Sequence, residues 1–152
     1  MPNLTIRPAT QADIPAATQV AAAAYQHAFA HILEPEILAT RTPASFAPRF
    51  AADLPNLQIA TRSNTIIGFS LMTNRHIDMM FVTPHAHRTG AGAALLTNCE
   101  SRGANSLECF RDNHKARTFY ESHAWKLTRA YTRDFAGHPR AFVFYEKEAV
   151  LF

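Results

Sequence analysis

The chain has 152 residues, 47% of them hydrophobic and 18% charged, with 15 Lys and Arg against 12 Asp and Glu. That composition is globular and excludes a disordered or collagen-like chain; the length suits one domain (residues 1–152) that needs no disulfide or metal staple. No apolar run reaches the ~18 residues of a membrane helix. The +3 net charge is scattered, unlike the clustered footprint of a nucleic-acid binder.

Leu4–Arg7 alternates and is stopped by Pro8, which reads as a short edge strand. Thr10 or Asp13 caps a helix with apolar positions at Ala16, Val20, Ala24 and Phe29, and Pro15 falls in its first turn. Between Glu34 and Asn56, Pro35, Pro43, Pro48 and Pro55 break the chain into short helical pieces. Leu57–Thr61 and Thr65–Thr73 form a hairpin around Arg62-Ser63-Asn64, and Asn74-Arg75 turns into a strand over His76–Val82. A helix from Gly90 to about Arg102, a strand over Ser106–Phe110 and a helix from Asn113 to near His123 follow. Leu127–Phe135 and Arg140–Glu146 close the chain as a hairpin around Ala136–Pro139. This order predicts an α/β domain on a mixed sheet. With no basic start before an apolar block, no secretory signal is read, and Cys99 and Cys109 are expected to be reduced thiols in a cytoplasm.

The segment that carries chemistry runs from Val82 to Leu96, a strand entering a glycine-containing turn and then a helix. Such a junction aims backbone N–H groups at one point, and the helix dipole adds positive potential there. A pyrophosphate suits it. A Walker loop is excluded because Ala93-Ala94 stand where Lys and Ser or Thr are required, and a dinucleotide fingerprint because Leu95 takes the place of its third glycine.

With Pro84, His87, Gly90 and Gly92 in this order, and Asn113-x-x-Ala116-x-x-Phe119-Tyr120-Glu121 downstream, the sequence resembles the GCN5-related N-acetyltransferase (GNAT) family. Ile6-Arg7-Pro8-Ala9-Thr10 with Asp13, Ile67-Gly68-Phe69, and Ile77 to Pro84 add to the likeness, which is strongest to small bacterial members. His87 stands where that family has Gln or Arg, Arg88 where a glycine is frequent, and Ala124 where Gly is usual. The resemblance implies a twisted, mostly antiparallel sheet of six to seven strands with about four helices. It also implies an acetyl-CoA-dependent transfer of acetyl to a small-molecule or peptide amine, by direct attack in a ternary complex, and leaves a homodimer open.

Residue by residue, the resemblance implies that His87, Arg88 and Thr89 in the turn, with Gly90, Ala91, Gly92 and Ala93 at the helix start, hold the coenzyme A phosphates. Met80 and Val82 would bond the pantetheine through the backbone, with the Met80 N–H at the thioester carbonyl; Asn113 and Tyr120 complete the cofactor site. Tyr120 would donate a proton to the leaving thiolate. Counting back eleven places from His87 reaches His76, where family members carry a carboxylate base; Asp78 lies two residues nearer the cofactor. Strand alternation sets both on one face with Met80 and Val82, and either can take the amine's proton, directly or through water. Tyr25 and Phe29 are read as substrate-pocket residues, with His27 and His31 beside them. Those two histidines lack a third ligand at metal spacing, so no metal is expected. The competing reading is a non-catalytic acyl-CoA-binding module on the same fold.

Overall fold

The computed structural model describes residues 3–148. Seven strands form one sheet in the order β1-β2-β3-β4-β5-β7-β6. They are β1 (Leu4–Pro8), β2 (Leu57–Arg62), β3 (Thr65–Thr73), β4 (His76–Val82), β5 (Ser106–Phe110), β6 (Lys126–Phe135) and β7 (His138–Glu146). Every neighbouring pair is antiparallel except β4 and β5. The helices are α1 (Ile14–Phe29), α2 (Pro35–Leu38), α3 (Pro43–Ala52), α4 (Ala91–Ser101) and α5 (His114–Ser122), one more than the expected four. None is long and apolar enough to cross a membrane.

Local chemistry explains most boundaries. A turn of 3-10 helix over Gln11–Asp13 leads into α1. The Asp13 carboxylate accepts from the Thr10 N–H at 2.7 Å and from both Arg7 Nη atoms at 2.7 and 2.9 Å, tying β1 to the start of α1. The Arg7 guanidinium holds that carboxyl well below the usual carboxylate range. The β2–β3 turn has positive φ at Ser63 and Asn64, the twist that matches a two-residue hairpin. The last hairpin is tighter than the sequence suggests: Ala136 (φ 53°) and Gly137 (φ 83°) make the turn alone, and Pro139 already pairs with Asp134 in the ladder.

Apolar side chains fill both faces of the sheet. On one face α1 and α3 bring Val20, Phe29 and Phe50 against Leu57, Phe69 and Leu71. On the other, α4 and α5 bring Leu96, Cys99 and Tyr120 against Met72, Leu107 and Val143. Trp125 is buried there and donates from Nε1 to Glu100 at 2.8 Å; Lys147 donates to the same carboxylate at 2.9 Å, which joins α4 to the start of β6 and the end of β7.

Gly68 lets α4 lie flush on β3 and β4. A Cβ there would come within 2.9 Å of the Phe81 carbonyl oxygen and 3.1 Å of Leu95 Cδ1. Gly68→Ala is therefore expected to lower the unfolding free energy by about 1–3 kcal/mol, the usual range for overpacking a filled site. Urea unfolding would read this as an earlier midpoint at unchanged slope.

Candidate active site

The parallel join of β4 and β5 consists of two residue pairs, His76–Ser106 and Ile77–Leu107, and beyond them the strands part. The edge of β4 toward β5 thus keeps backbone groups up to Val82 that no strand pairs. A cleft of about 1380 Å³ opens there, bounded by α1, β4, the turn after it, β5 and α5. It holds residues of both sequence motifs, including His87, Gly90, Asn113 and Tyr120.

A bulge in β4 corrects one expectation. Met79 pairs with Leu71 and Ile77 with Met72, so Asp78 is the extra residue. Ile77 packs on the α4 side, whereas Met79 and Phe81 pack on the α1 side, and Met80 and Val82 return to α4. His76 and Asp78 therefore face α1 and α3 instead of sharing a face with Met80 and Val82. The inserted residue shifts the two-residue alternation by one.

After β4 the sheet ends with the Thr83 N–H donating to the Ile67 carbonyl at 2.8 Å. A 3-10 turn over Pro84–Ala86 follows, then His87 in extended backbone and Arg88 at φ 63°. That positive φ explains why glycine is frequent at the Arg88 position in similar motifs. Gly90, at φ 90°, caps α4, and a Cβ on it would meet nothing within 4 Å. The first bond of α4 runs from the Ala94 N–H to the Gly90 carbonyl at 3.0 Å, so the N–H groups of Ala91, Gly92 and Ala93 have no helical partner. Thr89 Oγ1 donates to the Ala86 carbonyl at 2.5 Å, and Arg62 donates to the Thr89 carbonyl at 3.1 Å, which fixes the turn.

Asn113 Oδ1 accepts from the Ala116 N–H at 3.3 Å and starts α5. Seven residues on, Tyr120 is 8% exposed and borders the cleft. Burial raises its phenol pKa well above the ordinary value, so the hydroxyl stays protonated. Cys109, on β5, also borders the cleft; burial pushes its thiol up to about 12. It is a thiol, not a nucleophilic thiolate.

The other end of the cleft carries charge in pairs. His76 Nδ1 lies 2.8 Å from Ser106 Oγ, and the ring stacks on Phe144. Asp78 accepts from Thr73 Oγ1 at 2.5 Å and lies 3.8 Å from Arg49 on α3, which also donates to Asp53 at 2.9 Å. Across the opening, Glu108 accepts from Tyr131 and from Arg133 at 2.5 Å. Burial works to raise the Glu108 carboxyl pKa, but the bonds from Arg133 and Tyr131 outweigh it and leave the group below its usual range. Sequence reasoning missed Glu108, Arg133 and Arg49. The signal for Glu108 was present: on a strand over Ser106–Phe110 it shares a face with Ser106 and Phe110, flanked by Leu107 and Cys109.

Tyr25 and Phe29 meet edge to face at 4.6 Å, pack against Phe81 and border the cleft on its α1 side. His27 and His31 border the same cleft from a different face of α1. The His27 ring lies 5.6 Å from that of His87, and His31 Nε2 is 3.4 Å from the Asp112 carbonyl, so both imidazoles border the turn and the start of α5. On a helix, positions 27 and 31 point about a quarter-turn or more away from 25 and 29.

A family model described as an acetyltransferase (GNAT) domain matches residues 17–147. No curated protein matches the sequence. Among solved structures, apo YjaB from Escherichia coli is 18% identical, with a TM-score of 0.75 over 95% of this chain and 97% of that one. A GCN5-related N-acetyltransferase from Rhodopseudomonas palustris is 24% identical, with a TM-score of 0.74 over 94% of each chain. The PaiA N-acetyltransferase from Thermoplasma acidophilum, solved in complex with coenzyme A, is 17% identical, with a TM-score of 0.69 over 96% of this chain and 99% of that one.

Gly90→Asp sets a carboxylate beside the unpartnered N–H groups of α4, in open space and at a φ that Asp tolerates better than most residues. The variant is expected to fold, and its affinity for coenzyme A, titrated by calorimetry, to fall about tenfold or more, ~1.4 kcal/mol.

Proposed function

The chain belongs to the GNAT acetyltransferase family, and from that premise we propose that it transfers an acetyl group from acetyl-CoA to a primary amine held in the same cleft. The observation that carries the reading is the parting of β4 from β5 next to the free N-terminus of α4. One offers a strand edge to an extended, amide-bearing chain. The other offers N–H groups and a positive dipole end to phosphates. Acetyl-CoA has both features joined in one molecule, and as a thioester it supplies an already activated acyl group.

In this reading the N–H groups of Arg88 to Ala93 bind the pyrophosphate, with His87 and Thr89 shaping the turn. Met80 and Val82 hold the pantetheine along the β4 edge, and Asn113 closes the site from α5. The Met80 N–H donates to the acyl oxygen and stabilises the charge that develops there. Tyr120 gives its proton to the departing sulfur. The amine arrives from the side of Tyr25 and Phe29, and direct attack requires only that it lose a proton and sit in line.

His76 is our choice for that proton. One ring nitrogen is engaged by Ser106, which leaves the other as a candidate proton acceptor. Asp78, 3.8 Å from Arg49, and Glu108, bonded to Arg133, serve as counter-charges to an ammonium at the mouth of the opening. Two free thiols, Cys99 and Cys109, fit a reducing, cytoplasmic setting.

The test is release of free thiol from acetyl-CoA in the presence of a panel of primary amines. A protein that binds acetyl-CoA and releases none with any amine is the non-catalytic binding module instead. In the active protein, Tyr120→Phe keeps the ring and its packing against Phe119 and Trp125, and loses only the hydroxyl. We expect kcat to fall about 10²-fold, the low end for a general acid because a thiolate leaves readily by itself. KM for acetyl-CoA should hardly change, since the proton is needed only as the C–S bond breaks. The double variant His76→Ala, Asp78→Asn is expected to lower kcat and to remove the acidic limb of the pH–rate profile. An unaltered limb would assign the proton to another group.

A further inference from the structure

The phosphate end of the cleft is basic, and most of its basic groups are imidazoles. His27 and His31 from α1, His87 from the turn and His114 from α5 border it, beside two permanent cations, Arg88 and Lys115. The carboxylates that border the cleft, Asp78 and Glu108, stand at the β4–β5 join, each beside an arginine.

His87 is the pivot. Its Nε2 lies 3.1 Å from the Val82 carbonyl oxygen. A carbonyl only accepts, so Nε2 carries the hydrogen. In the neutral ring Nδ1 is then a lone pair, which opposes a phosphate oxygen. A proton on Nδ1 converts it into a donor on a cation. The edge-on His27 ring, 5.6 Å away, shares the same surroundings. Two neighbouring imidazolium ions repel one another in the free protein, and an anion beside them removes that penalty.

We propose that His87 and His27 form a proton-linked phosphate site, which takes up a proton as coenzyme A binds and thereby makes cofactor affinity depend on pH near neutrality. The proposal rests on the acetyl-CoA reading above and adds to it a coupling that a glutamine or arginine at position 87 would lack. The other titratable and charged groups around the site are Arg88 on the same turn, His31 on α1, Arg62 at the β2–β3 turn, and His114 and Lys115 on α5, with His85 earlier in the turn at 3.5 Å from Thr83 Oγ1. Asp112, paired with Arg111 at 3.1 Å, lies toward His31 and His114, and the first turn of α4 has no acidic residue.

The sign follows from linkage. Bound phosphates favour the imidazolium form, so affinity falls as rising pH removes that proton. The 3′-phosphate of coenzyme A works the other way, because its second ionisation near pH 6 adds negative charge as pH rises. Dephospho-coenzyme A lacks that group and isolates the protein's contribution.

The experiment is calorimetric titration of the full chain with coenzyme A and with dephospho-coenzyme A, in two buffers of different ionisation heat. Affinity for dephospho-coenzyme A is expected to fall about fivefold or more from about pH 6 to about pH 8, with net proton uptake at pH ~7. His87→Gln keeps an amide donor for the Val82 carbonyl and cannot titrate. It should bind with nearly one affinity across that range and show little proton uptake, and His27→Gln should lie between it and the wild type. Pronounced pH dependence that survives unchanged in the double Gln variant overturns the proposal, as does a flat wild-type profile. Binding without proton uptake overturns this proposal alone, whereas no binding at any pH overturns the acetyl-CoA reading with it.

Discussion

Two residue pairs carry the whole parallel contact between β4 and β5, and the active-site geometry depends on their being so few. Had the strands stayed paired to their ends, the sheet would have closed where the cleft now lies. β4 is held on its other edge by β3 along its full length, while β5 is held by β7, so each half of the sheet is rigid by itself. The opening is therefore a wedge between two stiff edges and not a floppy gap. Each ladder bond left unmade there forgoes about 0.5–1.5 kcal/mol. Water restores much of that in the open cleft, and a ligand with its own amides restores it more fully.

The bulge at Asp78 follows from the same constraint. It lies immediately past the last paired residue of β4 and turns the strand's faces over at the apex of the wedge. Below the apex Ile77 packs under α4; above it Met80 and Val82 do. Without the extra residue, either Ile77 or Met80 would point to the wrong side. The extra residue also points a carboxylate toward α3, where Arg49 meets it, opposite Glu108 at the first unpaired position of β5. Charge at this end is thus a consequence of where pairing stops.

Much of the fold was legible because its elements obey local rules. Pro8, Pro84 and the Ser63-Asn64 turn delimit strands, and the apolar spacing in α4 and most of that in α1 gives their buried faces, although Ala16 is exposed and Ala17 takes the buried place beside it. The bulge was not legible, because a single inserted residue leaves no compositional mark and only register reveals it. The turn at Ala136-Gly137 was overestimated because alanine seldom adopts positive φ and Pro139 reads as a breaker. In the site, the turn and Tyr120 could be found from spacing. Glu108 was passed over because its meaning comes from Arg133 and Tyr131, some twenty-five residues away in sequence and adjacent only through β7. The contact of His27 with His87 was not foreseen for a similar reason: that neighbour is sixty residues on, and helix spacing alone says which face His27 occupies, not what that face meets.

The two ends of the cleft differ in how firmly their charge is fixed. At the wedge apex, the bonds from Arg133 and Tyr131 hold the Glu108 carboxyl below its usual range, and Arg49 lies 3.8 Å from Asp78. At the phosphate end, Arg88 and Lys115 are joined by four imidazoles. Tyr120 lies between the two ends with a phenol that burial keeps neutral. A raised pKa makes it a weaker acid than the thiol its proton would form, whose ordinary pKa is ~8.5 in free cysteine. In the proposed reaction transfer to sulfur is then uphill, so the phenol would donate a hydrogen bond to the charge that appears on sulfur as the C–S bond breaks and pass its proton late, not protonate the thioester beforehand. That ordering ties its contribution to the transition state and leaves ground-state binding of the cofactor to the strand edge and the helix end.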